Sequence, residues 1–159
     1  MKNIRLYILF FIAMPLTLLN RYTPFYINNS MLHFAIFFIA AATFVFITGE
    51  LLGKLKSFRS HVITVIIVGF LCIIRSFLVW GGDWKTQTIL YRNLANANKT
   101  IELQMRGDRF SFGYKKRVIN RLKLFPGFDW NTDIDTTTIN RSQWKKMNLY
   151  VNEMKFASK

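Results

Sequence analysis

The sequence has one cysteine, two histidines, three prolines and only eight acidic residues among its 159. A lone cysteine, Cys72, excludes an intrachain disulfide and therefore a cysteine-stapled extracellular module. Both histidines, His33 and His61, lie in the first half, so residues 81–159 hold neither His nor Cys. That excludes Ser-His and Cys-His nucleophilic sites, and His/Cys zinc sites, from the second half. No glycine loop of the phosphate-cradling kind occurs. A carboxylate pair such as Glu102 with Asp108 is the remaining acid–base combination, and no neighbouring residue activates it visibly. The chain is read as non-enzymatic, with no cofactor and no metal.

The scarce acids are also unevenly placed. Residues 1–80 carry seven Lys/Arg and one acid, Glu50, whereas residues 81–159 carry 15 Lys/Arg and seven acids. The first part is apolar and the second polar and basic, which sets a boundary near Trp80 and two domains, 1–80 and 81–159.

Three apolar runs fill the first part. A helix needs about 20 apolar residues, rising about 1.5 Å each, to cross roughly 30 Å of hydrocarbon. Met31–Leu52 meets this and is apolar on every face. Val62–Trp80 meets it with one charge, Arg75, close enough to the run's end to snorkel to an interface anchored by Trp80 and Trp84. Leu6–Leu19 is shorter and contains Pro15. Its charged start resembles a signal peptide, but no small-x-small cleavage site follows, so an uncleaved span over about 4–22 is expected. Ala41, Val45, Gly49 and Gly53 fall four apart on one helix stripe, a pattern that lets helices pack closely.

Loop charges orient the spans. Lys2, Arg5, Lys54, Lys56 and Arg59 fall on one side and only Arg21 on the other. Positive loops stay in the cytoplasm, which puts the amino terminus inside and residues 81–159 outside.

In the basic part, Thr86–Arg92 and Thr100–Arg106 alternate apolar with polar residues, predicting two strands around an asparagine-rich loop. Phe110–Phe125 fits helix or strand, and Pro126-Gly127 ends it. Ser142 is a candidate cap for a last helix with Trp144, Met147, Val151 and Met154 on one face. The fold class expected is thus a membrane protein of α+β type: three transmembrane helices, then a small mixed, partly β domain ending in a helix.

Arg106, Arg109, Lys115, Lys116, Arg117, Arg121 and Lys123 are concentrated around Phe110, Phe112 and Tyr114. Basic residues interleaved with aromatic rings suit nucleic acid. Outside the cytoplasm, anionic lipid headgroups or an acidic protein are more available, at about 1 kcal/mol per cation near a membrane surface. Asp129-x-Asn131-x-Asp133-x-Asp135 begins like a calcium loop. Ile134 then replaces the required glycine and Asn140 the bidentate glutamate, so turns stabilised by Asx hydrogen bonds are expected instead.

Tyr91-Arg92-Asn93, Ile101-Glu102-Leu103-Gln104, Gly113-Tyr114-x-x-Arg117-Val118, Trp144 and Val151-Asn152-Glu153-Met154 together resemble a group of small uncharacterised bacterial inner-membrane proteins with amino-terminal spans and a short extramembrane domain. The resemblance covers roughly the last 70 residues. It implies a bacterial inner-membrane setting, no known reaction, and no residue roles to carry over.

The first functional reading is a membrane interaction protein, an accessory subunit or a protective protein, with a basic extracytoplasmic binding domain. Its expected partners are membrane lipids and another membrane or extracytoplasmic protein. A small oligomeric channel or transporter subunit is the second reading, using the Gly49/Gly53 stripe and Arg75. A membrane-tethered nucleic-acid binder is the third, and it requires the opposite orientation.

Overall fold

A computed structural model describes residues 4–55, 57–78, 84–108, 113–135, 137, 139–140 and 142–154. The chain divides into two compact units, Met1–Thr23 with Asn29–Val79, and Pro24–Asn28 with Trp80–Lys159.

The first unit is helical. α1 runs Ile4–Tyr22, α2 Ser30–Leu51 and α3 Phe58–Leu78. Each is long and apolar enough to cross a membrane. α1 stays helical through Pro15, and α2 starts at Asn29, whose side-chain oxygen accepts from the Met31 and Leu32 amides. Ser57 and Ser60 bond reciprocally, side chain to backbone, just before and within the first turn of α3. α2 packs on both of its neighbours. Its contact with α3 is centred on buried Ala42, Val68 and Cys72, surrounded by Phe34, Phe37, Phe38, Ala41 and Phe46.

The second unit is a six-stranded antiparallel sheet in the order β1-β5-β4-β3-β2-β6. Its strands are β1 Phe25–Ile27, β2 Lys85–Asn93, β3 Lys99–Asp108, β4 Gly113–Phe125, β5 Phe128–Asp133 and β6 Trp144–Tyr150. β2 and β3 form where alternation predicts them. Asn93 and Asn96 turn the loop between them by accepting backbone amides, the expected use of an asparagine-rich connection.

The 110–125 ambiguity resolves to a strand from Gly113 onward. The turn that follows fixes it: Pro126 presets one corner and Gly127 takes φ 85, so Phe125 faces Phe128. Arg109, Phe110 and Phe112 lie outside the described residues, as do Lys56 and Trp80.

One expectation needs correction. The chain's last described element is a strand, not a helix. Met147, Leu149 and Val151 alternate with polar residues, and this period of two prevails over the helical spacing of Trp144, Met147, Val151 and Met154 because β2 offers a hydrogen-bonding edge. Ser142 caps nothing, and instead bonds Asn140 through both its amide and its hydroxyl. Pro24–Asn28 belongs to the sheet. This short connection between α1 and α2 supplies β1, an edge strand paired with β5.

Candidate functional site

Residues directly opposite one another in an antiparallel sheet point to the same face. Thr100, Glu102, Gln104 and Arg106 of β3 stand opposite Arg121, Ile119, Arg117 and Lys115 of β4. Arg121 in turn stands opposite Asn131 of β5, and Lys123 opposite Asp129. One face of the sheet is therefore polar and charged across three adjacent strands, and much of that charge is buried.

Arg121 is the centre of this face. It is 8% exposed, and its guanidinium bridges two carboxylates. Nε and Nη2 bond Asp129 Oδ2 at 2.9 and 2.8 Å, while Nη1 bonds Glu102 Oε2 at 3.1 Å. Glu102 is 1% exposed, and its oxygens also accept from the hydroxyls of Thr86 and Thr100, each at 2.7 Å. Burial disfavours the Arg121 charge, but Glu102 and Asp129 together outweigh it and hold the guanidinium above its ordinary value. Burial pushes the Asp129 carboxyl up from its ordinary value, against the pull of Arg121. A buried cation is tolerable here because every charge has a partner of opposite sign.

A second cluster flanks the first on the same face. Trp84 precedes β2, and the guanidinium carbons of Arg117 and Arg106 lie 4.2 and 5.1 Å from its ring centroid. Arg117 also donates from Nε and Nη2 to Gln104 Oε1, at 3.1 and 2.9 Å. Burial lowers the Arg117 proton affinity, Asp133 opposes that shift and Arg106 adds to it.

An open cleft of about 380 Å³ lies beside Arg121 and Asp129. It is lined further by Asn28, Asn98, Lys123 and the 124–127 turn.

The strand separates the predicted basic residues. Arg106, Lys115, Arg117, Arg121 and Lys123 share a face, while Lys116 points to the other. Arg121 is not the surface cation that its place in a basic run suggests, because it is buried and neutralised. Trp84 serves as a platform for two arginines. Arg75 is exposed and sits 3.8 Å from the Phe37 ring centroid.

The proposed helix-packing stripe is also divided. Ala41 borders the α2–α3 core and Val45 is exposed. Gly49 faces the Leu55 side chain where the chain turns back after α2, and Gly53 occupies that turn with φ 65. Asp129, Asn131 and Asp133 lie in a strand, while Asp135 and Asn140 make Asx turns, accepting the Thr137 and Ser142 amides. No group of three or more potential metal ligands occurs among the described residues.

Sequence reading missed the Glu102–Arg121–Asp129 network. The only available signal was a polar residue at every second position of Thr100-x-Glu102-x-Gln104, with Arg117 and Arg121 four apart flanking Ile119 on the strand opposite. No protein-family model matches the chain, and neither a curated protein nor a solved structure matches it.

Proposed function

We propose that the chain is a multi-pass protein of the bacterial inner membrane whose sheet is a non-enzymatic binding module held outside the cytoplasm. Its basic strand β4 docks an acidic partner protein, as an accessory or protective subunit would. The observation that carries this reading is the pairing of β1 with β5. Between Ile27 and Lys85 the chain passes through α2 and α3, two helices able to cross a membrane. Two crossings return it to the starting side, as one continuous sheet requires. The single basic residue of the α1–α2 connection, Arg21, against Lys54, Lys56 and Arg59 in the next, supports the outer side.

The buried carboxylate network supports a scaffold role. Both oxygens of Glu102 already accept from protein donors, and Asp129 is engaged by Arg121. Glu102 lacks the open coordination of a working acid or base.

Alkaline phosphatase fused after Lys159 should be active in a bacterial host. A photocrosslinker at Lys116, which is exposed on β4, should capture a protein partner, with less adduct at 1 M salt than at 0.1 M because the Debye length falls from about 10 to about 3 Å. An inactive phosphatase with a fluorescent cytoplasmic fusion at the same site would contradict the orientation.

A further inference from the structure

Cation–cation proximity on the sheet's polar face calls for a ligand. Arg106 stands directly opposite Lys115 across the β3–β4 ladder, and Gln104 stands opposite Arg117. Arg106 and Arg117 are moreover drawn to one indole, at 5.1 and 4.2 Å from its centroid. Elsewhere on the same face the fold neutralises its cation, by placing Glu102 and Asp129 on Arg121. Around Trp84 no carboxylate bonds either arginine among the described residues, and Asp133 acts on Arg117 only at longer range. Arg117 is held through the neutral oxygen of Gln104, and among the described residues no hydrogen bond or ion pair occupies the Arg106 guanidinium.

We propose that Trp84, Arg106 and Arg117 form a binding site for the phosphodiester of an anionic phospholipid headgroup. The inference rests on the membrane-attached reading above and names a ligand for the face of the sheet opposite Lys116.

The chemistry suits a phosphate. Trp84 and Gln104 fix the two guanidinium planes, and planar guanidinium groups recognise phosphate oxygens through paired N–H donors. Gln104 uses Nε and Nη2 of Arg117, leaving Nη1 for a ligand, while the Arg106 fork is unoccupied. The arginines also take the space over Trp84 that a quaternary ammonium would need. The site therefore favours an anionic headgroup over a choline headgroup carrying the same phosphodiester. Supply favours a lipid over free phosphate. Trp84 follows Leu78, the last residue of α3, by six positions, so the chain itself keeps it within about 20 Å of that helix end.

The test uses the full chain in neutral detergent, labelled with 5-fluorotryptophan. The sequence has four tryptophans, and the variant Trp84→Phe identifies the fluorine resonance of Trp84. Short-chain phosphatidylglycerol should shift that resonance saturably. Short-chain phosphatidylcholine and inorganic phosphate at the same concentration should not. Arg106→Gln should weaken the phosphatidylglycerol response about fivefold, the equivalent of one cation near a lipid surface, and Arg106→Gln with Arg117→Gln by more than tenfold. Among the described residues the Arg106 side chain makes no hydrogen bond, so the single variant keeps the proposal testable if the double variant misfolds. Unchanged resonances from the other tryptophans report the intact fold. An equal response to the choline lipid, an equal response to inorganic phosphate, or no response to phosphatidylglycerol would overturn the proposal. If any of these occurs while the Lys159 phosphatase fusion is active and Lys116 still captures its partner, the headgroup site fails and the binding module stands.

Discussion

At the residue scale the molecule depends on Arg121. Its side chain holds two buried carboxylates that lie on the same face of the sheet. Removing one member of a buried ion pair strands the other, at about 3–5 kcal/mol. Arg121→Met should therefore cost that much in an unfolding measurement on the detergent-solubilised chain. Glu102→Gln should cost less, about 1–3 kcal/mol, because the amide oxygen still accepts and Asp129 still neutralises Arg121. Equal losses would mean the carboxylates are not held through Arg121.

Asp129 adds a dependence on pH. Burial raises its folded-state pKa above the unfolded value, so in that window the folded chain binds more protons than the unfolded one. Stability from this group is then fully present below the ordinary aspartate value and is lost as pH rises through the raised folded value. Wild type should gain stability relative to Asp129→Asn as pH is lowered from neutral through that window. A relative loss on acidification would show that Arg121 dominates over burial.

At the element scale, the chain divides into parts that local pattern determines and parts that it does not. The three helices were legible because each is a long run apolar enough to cross a membrane, a property visible within the run itself. β2 and β3 were legible from alternation and the Asn-rich turn. β4 was not, because Val118, Leu122 and their neighbours satisfy both periods, and only pairing with β3 and β5 decides between them. β6 was misread because helical spacing and the alternation of Met147, Leu149 and Val151 coexist in one segment. The strand carries its own marker. Asn148 takes φ 46 next to a register shift against β2, a conformation asparagine tolerates and β-branched residues do not. Asn148→Gly should leave stability unchanged or slightly raised, while Asn148→Val should cost about 1–2 kcal/mol. A neutral valine variant in the same unfolding measurement would argue that this backbone is not strained for β-branched residues.

At the scale of the whole molecule, sequence order and sheet order differ in one informative place. Residues 24–28 sit between two helices in the chain and at the edge of the sheet in the fold. No local property of Pro24-Phe25-Tyr26-Ile27-Asn28 could have revealed this, since the pairing partner lies near the other end of the sequence. For the same reason the candidate site was only partly legible. The cations could be counted, but which of them the fold buries depends on which strands become neighbours.

This connection and the carboxyl-terminal strands form one sheet, which the proposed topology requires to lie on one side of the membrane. Phe25 stands opposite Trp130, and the Asn131 amide bonds the Pro24 carbonyl, the arrangement in which facing side chains come closest. The direct test is oxidation of Phe25→Cys with Trp130→Cys in native membranes, with Cys72→Ser removing the natural thiol and a protease cut between the two positions. A disulfide joining the fragments is the predicted result, with none for Phe25→Cys with Asn131→Cys, whose side chains point to opposite faces. The contradicting result is no disulfide for Phe25→Cys with Trp130→Cys, with an impermeant maleimide reaching the two cysteines from opposite sides of the membrane.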